Sequence, residues 1–155
     1  TSFACLQPMY NVAKRQAEVE ILPMAQHEGL GVISYSPVGG GLLSGKYGIG
    51  ERPDHGRLID TPTYQKRYGD EANYEIAERF VDHARDSGEH PVSLAVAWVM
   101  AHAAITTPII GARSVEQLEP SLAAVDVEMS DDRYQAINAL SPTPPPATDR
   151  TEDQR

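Results

Sequence analysis

The stretch from Gly31 to Tyr47, GVISYSPVGGGLLSGKY, restricts the fold more than any other part of the chain. Val32, Ile33 and Tyr35 are β-branched or aromatic, side chains that fit a pleated surface, so a short strand is expected there. Pro37 ends its ladder because proline has no N–H to donate. Gly39, Gly40 and Gly41 follow, bracketed by Ser36 and Ser44, with Lys46 close behind. A buried strand that runs into a glycine-rich turn presents bare backbone N–H groups at the strand's carboxyl end. In α/β proteins, phosphates and cofactors bind at that end. The same residues also suit a glycine-rich connector that binds nothing, and from them alone both readings stand.

The length of 155 residues is enough for one domain with a real core, and the 41% hydrophobic and 23% charged content is ordinary for a globular chain. No run approaches the roughly 20 apolar residues of a membrane helix, and no basic-then-apolar leader opens the sequence. A lone cysteine, Cys5, leaves no internal disulfide and fits a reducing compartment, so a cytoplasmic protein is expected. The formal charge of −9 is opposite in sign to what phosphate backbones attract, which argues against nucleic acid as a partner. A small phosphorylated ligand stays compatible, because it needs only a few local cations.

The rest of the chain repeats a strand–helix theme. Phe3 to Gln7 is expected as a buried strand closed by Pro8, which places Gln7 at its carboxyl end. A helix is expected from Ile21 to Glu28, with Pro23 in its first turn and Gly29 as its left-handed stop. Strand, helix and strand at this spacing form a βαβ unit, which implies parallel strands. Gly48 to Asp70 is low in apolar residues and holds Gly50, Pro53, Gly56 and Pro62, so a long covering loop is expected. Its cations Arg52, Arg57, Lys66 and Arg67 suit a solvated loop, with one or two facing phosphate.

Ile76, Ala77, Phe80, Val81 and Ala84 make one apolar stripe, so a helix is expected from Glu71 to Ser87, ended by Gly88. Pro91 opens a helix that is apolar nearly all round, which makes Trp98 a core residue. His90 and His102 lack partners at metal-ligand spacing and are taken as structural. Ile105 to Ala112 is expected as a third strand, followed by a helix that Ser114 caps in an S-x-x-Q box with Gln117. Arg113 stands beside that helix start, suited to forked phosphate recognition, whereas Pro120 conflicts with the helical pattern. Ser130 to Leu140 is a last amphipathic helix, and residues 141–155 are expected as a disordered tail. No nucleophile–base–orienter triad and no metal cluster suggests itself.

Three segments together resemble the aldo-keto reductase family: QPMYN at Gln7 to Asn11, GVISYSPVGGGLLSGKY at Gly31 to Tyr47, and PIIGARSVEQL at Pro108 to Leu118. Their order and spacing match as well. The resemblance covers about Cys5 to Leu140 and implies the C-terminal portion of a (β/α)8 TIM barrel, with about three parallel strands and covering helices. It further implies an oxidoreductase that binds NADP(H) and reduces aldehydes or ketones to alcohols. Carried over by position, Gln7 would hydrogen-bond the nicotinamide carboxamide and Tyr35 would stack on its ring. Ser36, Pro37, Val38, Gly39 and Gly41 would line the pyrophosphate, with Lys46 and Arg57 along the cofactor from the covering loop. Gly111, Arg113, Gln117 and Ser121 would surround the adenosine 2′-phosphate end, with Arg113 favouring NADP over NAD.

This sequence departs from the family twice. Pro120 and Ser121 stand where the family reads adenine with an acidic residue and an asparagine. The family's Asp, Tyr, Lys and His tetrad belongs to the N-terminal half of the barrel, and Tyr10, Tyr35, Lys46 and His55 match other positions. The resemblance therefore implies a cofactor-binding half that completes itself with an N-terminal half-barrel or associates with itself. A non-catalytic NADP(H)-binding regulatory module and an inactive gene fragment are the alternatives. Of the residues that could meet a small carbonyl substrate, the chain offers Tyr10, Asn11 and the covering loop.

Overall fold

Residues 2–50 and 52–145 are described by a computed structural model, in which three parallel strands carry the architecture. The strands are β1 (Cys5–Leu6), β2 (Gly31–Tyr35) and β3 (Thr107–Ile109), in the spatial order β1-β2-β3. Cys5 pairs with Gly31 and Leu6 with Val32, while Ile33, Ser34 and Tyr35 pair with Thr107, Pro108 and Ile109. Both outer strands are shorter than the sequence suggests. Each has a neighbour on one side only, so fewer ladder bonds hold it.

Burial alternates along β2: Val32 and Ser34 are buried, and Gly31, Ile33 and Tyr35 are half-buried. The period of two continues across the sheet. Leu6 packs against the core while Cys5 and Gln7 are exposed, and Thr107 and Ile109 are exposed on β3. The expectation of a buried first strand is corrected by this, since Phe3 is 80% exposed. Helices cover one face of the sheet and leave the other open, whereas parallel sheets are ordinarily covered on both.

The helices are α1 (Ile21–His27), α2 (Arg57–Asp60), α3 (Pro62–Tyr68), α4 (Glu71–Asp86), α5 (Pro91–Ala101), α6 (Val115–Leu122) and α7 (Asp131–Asn138). The covering segment is thus not a bare loop, because α2 and α3 lie within it. Extended Thr61 is followed by Pro62 at the first turn of α3, where a missing N–H costs nothing. Asp70 caps α4 by accepting from the Ala72 N–H, and the whole apolar stripe of that helix is buried. His90 caps α5 the same way, its Nδ1 accepting from the Val92 N–H at 3.1 Å. Seven consecutive residues of α5, Ser93 to Val99, are buried.

Pro120 does sit inside α6. The carbonyl its absent N–H would have served belongs to exposed Glu116, where water can satisfy it. The carbonyl of Pro120 itself accepts from Ser93 Oγ at 2.6 Å, tying α6 to α5. Ser141, at the start of the expected tail, is buried and accepts from Arg15 at 3.3 Å. Residues 146–155 of that tail lie outside the described residues.

Trp98 is fully buried at the centre of the helical layer. Its ring stacks on Tyr10 at 5.0 Å and on Tyr134 at 5.7 Å between centroids, and its indole N–H donates to Asn138 Oδ1 at 3.0 Å. His102 meets the edge of Tyr10, and its Nδ1 accepts from the Ala104 N–H. Burial holds its pKa below the ordinary 6.5, with Glu18 opposing and Arg15 assisting. The folded state therefore binds fewer protons than the unfolded one just below pH 6.5, so stability is lost as pH falls through that window. Urea midpoints taken from pH 7.5 downward should show this loss, and His102→Gln should flatten it. An unchanged slope in the variant would show that another group carries the dependence.

Candidate functional site

The carboxyl ends of the three strands bring the expected site segments together. After β1 the chain runs on beside β2: Tyr35 N–H donates to the Pro8 carbonyl at 3.0 Å, and Tyr10 N–H donates to the Tyr35 carbonyl at 3.2 Å. Tyr35 is therefore flanked by Met9 on one side and Ile109 on the other. Gln7 precedes the first neighbour by two residues, and Gly111 follows the second by two. Tyr35 lies half-buried on the open face of the sheet, the side an entering ring could reach.

Ser36 adopts a left-handed backbone, φ 58°, rare for a residue with a side chain and costing about 1–3 kcal/mol. Asn11 holds it there. The Asn11 side chain is fully buried, and its Nδ2 donates to the Ser36 carbonyl at 2.9 Å and to Tyr68 Oη at 3.1 Å. Its Oδ1 accepts from the Ala13 N–H at 3.1 Å. Tyr10 is equally buried, and its hydroxyl donates to Glu18 Oε1 at 2.6 Å. Burial, and then that hydrogen bond, hold the Tyr10 pKa far above its ordinary value. Both residues are thus sealed inside, which corrects the expectation that they face a substrate.

Gly39, Gly40 and Gly41 all take positive φ, at 61°, 69° and 100°, and curl into tight 3-10 turns. This geometry corrects the expectation of bare amides. The Gly39 N–H donates to the Ser36 carbonyl, and the Gly41 and Leu43 N–H groups donate to Val38. The turn instead offers close approach: a Cβ on Gly40 would lie 2.6 Å from the Tyr64 ring of α3. Lys46 folds back over the same turn, its Nζ 3.3 Å from where a Gly41 Cβ would stand. At the third strand's end, Ser114 Oγ accepts from the Gln117 N–H and caps α6. The Gln117 side chain reaches one residue further than a capping box requires, accepting from the Arg113 N–H at 3.2 Å. Ser121 is buried, unlike exposed Gly111, Arg113 and Gln117.

The cations divide by location. In the helical layer Arg15 pairs with Glu18, Arg79 with Glu75, Arg85 with Asp82 and Arg133 with Glu89. Around the strand ends, Lys46, Arg57, Arg67 and Arg113 have no carboxylate partner among the described residues. Several of these lie over rings: Lys46 is 5.3 Å from the centroid of Tyr47, and Arg57 is 5.3 Å from that of Tyr64. Tyr64 and Tyr68 were not singled out individually in the sequence, and Asn11 was expected to meet a substrate rather than to hold the turn. Asn11 carried a signal only as the last residue of the QPMYN segment. No group of three metal-ligating side chains occurs among the described residues.

Comparison with known proteins extends over almost the whole chain. A family model described as "Aldo/keto reductase family" matches residues 1–142. An uncharacterized oxidoreductase, YrpG, of Bacillus subtilis is 36% identical over 142 residues, covering 89% of this chain and 40% of the relative. The human "Aflatoxin B1 aldehyde reductase member 2" is 35% identical over 136 residues, covering 77% of this chain and 38% of that protein. The chain thus spans about two fifths of the length of these curated relatives. The structure of the glycerol dehydrogenase AKR11B4 from Gluconobacter oxydans superimposes with a TM-score of 0.71 at 25% identity, over 96% of this chain and 46% of the other.

The glycine turn generates a direct test of the geometry. Gly40→Ala places a methyl against the Tyr64 ring and adds left-handed strain, so it should destabilise by ~1–3 kcal/mol. Chemical denaturation measures this, and a variant as stable as the parent would mean that α3 does not rest on the turn.

Proposed function

The chain belongs to the aldo/keto reductase family, and on that premise we propose that it is the cofactor-holding part of an NADP(H)-dependent reductase of aldehydes or ketones. One observation carries this reading. In a chain of net charge −9, cations without carboxylate partners among the described residues gather where the strands end, while the arginines of the helical layer are paired. Unpaired cations beside a glycine turn and a helix start suit a ligand with two separated phosphate groups. The residues present therefore fit the dinucleotide.

In this reading Gln7 orients the carboxamide and Tyr35 supports the ring on the open face of the sheet. Ser36, Pro37, Val38 and the turn from Gly39 to Gly41 shape the wall along the pyrophosphate, and Asn11 keeps Ser36 in its strained conformation. Lys46 and Arg57 neutralise charge from the covering segment, and Gly111, Arg113 and Gln117 form the 2′-phosphate end. Buried Ser121 supports α6 there rather than facing the ligand. A dinucleotide held there would supply the hydride that reduces the carbonyl carbon. The proton for the carbonyl oxygen comes from a group outside these 155 residues, because Tyr10 is sealed and committed to Glu18. Relatives named for aldehydes and alcohols support carbonyl–alcohol interconversion.

The open face of the sheet also requires a cover. Phe3, Cys5, Ile33 and Ile109 share that face by the alternation of the strands, and Phe3 and Ile109 are exposed apolar residues. An N-terminal half-barrel is the cover proposed for it, with self-association as the substitute when the chain is alone. A cytoplasmic location accords with the lone exposed Cys5, and no helix of the described residues is long and apolar enough to cross a membrane.

Fluorescence titration tests the cofactor reading. Arg57→Ala should weaken NADPH binding by roughly tenfold, or ~1.4 kcal/mol. Arg113→Ala should weaken NADPH but leave NADH unchanged, since only NADPH carries the 2′-phosphate. Unchanged constants for both variants would remove the two arginines from the groove. Joining the chain to a matching N-terminal half and following NADPH oxidation with a model aldehyde tests the activity, and a joined form that binds NADPH without turnover would favour a sensor.

A further inference from the structure

Arg67 is the cation around the strand ends that the cofactor does not account for. It lies on α3, half-buried, with its Cζ 5.9 Å from the centroid of Tyr35 and 5.2 Å from that of Tyr64. Tyr64 stacks on Tyr68 at 6.2 Å, and Lys14 places its Nζ 6.0 Å from the Tyr68 centroid. A continuous row results: Tyr35, Arg67, Tyr64, Tyr68 and Lys14. Asn11 anchors its far part through the Tyr68 hydroxyl. Neither Arg67 nor Lys14 donates a side-chain hydrogen bond or meets a carboxylate among the described residues.

We propose that Arg67 selects carbonyl substrates that carry a carboxylate. The inference rests on Tyr35 being the residue beside the reacting ring. A guanidinium engages an aromatic ring through its face, which leaves its in-plane N–H donors available, and their fork matches a carboxylate. Tyrosine rings hold the charge in place without neutralising it. A half-buried arginine without a carboxylate among the described residues of an acidic chain holds a charge suited to an external anion. That charge stands next to Tyr35, while Lys46, Arg57 and Arg113 serve the phosphates. Tyr64 separates the two functions, with Arg57 and Arg67 both against it. An anionic substituent would thus be gripped beside the carbonyl being reduced, and a neutral substrate would leave the guanidinium unused.

Calorimetric titration of the 155-residue chain with 4-carboxybenzaldehyde and with its methyl ester, each with and without saturating NADP+, tests this. The acid should bind at least tenfold more tightly than the ester. Arg67→Gln should abolish that preference, Lys14→Gln at the far end of the row should leave it, and Arg67→Lys should keep part of it. The NADP+ constant should not move in Arg67→Gln. Equal binding of acid and ester would overturn the proposal. So would a preference that survives Arg67→Gln, or a loss of NADP+ affinity in that variant as large as the loss of acid binding. If NADP+ fails to bind but the acid preference appears and depends on Arg67, the cofactor reading fails and the anion site stands. If NADP+ binds and no acid preference appears, the reverse holds.

Discussion

The buried carboxamide of Asn11 joins the three segments on which everything at the strand ends depends. It bonds the turn after β2 through the Ser36 carbonyl, α3 through the Tyr68 hydroxyl, and its own segment through the Ala13 N–H. Each of these bonds lies inside, where an unmet donor or acceptor costs about 1–3 kcal/mol. Without it the left-handed Ser36 keeps only the turn's own bond from the Gly39 N–H, and α3 loses its tether. Tyr68 shares in this: burial pushes its pKa up to about 12, with Asn11 opposing, so its hydroxyl stays protonated at neutral pH.

A second constraint acts on the sheet. Its helical face is closed by a dense layer around Trp98, where stacked rings and the Asn138 acceptor satisfy both the apolar and the polar parts of the indole. Its other face holds half-buried Tyr35, met only by Arg67 at its end, and exposed Ile109. The division explains how one short chain can have a well-filled core and still present an unfinished surface. It also explains why charge is arranged differently on the two sides. Arg15 sits within the closed layer, where burial works against its charge and Glu18 more than compensates. Arg57, Arg67 and Arg113 border the open side and have rings or solvent for company.

Much of this was legible in the sequence, because it depended on local rules. Pro62 and Pro91 open helices since their fixed φ and missing N–H suit a first turn. Ser114 and Ser130 cap helices with their own hydroxyls, and α4 shows its buried stripe in the spacing of Ile76, Phe80 and Ala84. The resemblance of three segments then fixed the family and the parallel order of the strands. Less legible was the covering segment: α2 and α3 are short, with no long apolar period to announce them. Their helical form depends on resting against the glycine turn, a contact that no local pattern encodes.

By itself, then, the sequence determined the central strand, the longer helices and the glycine turn, since propensity, capping and glycine freedom act over a few neighbours. Only the tertiary structure decided which groups remain free to act. Tyr10 and Asn11 look available in the chain and are consumed by Glu18, Ser36 and Tyr68 in the fold. The Gly39 and Gly41 N–H groups look bare and are turned onto Ser36 and Val38. Arg67 looks like one cation among several in a solvated loop, and packing sets it between Tyr35 and Tyr64 without a carboxylate. Availability depends on partners distant in sequence, and those partners exist only after the chain has closed on itself.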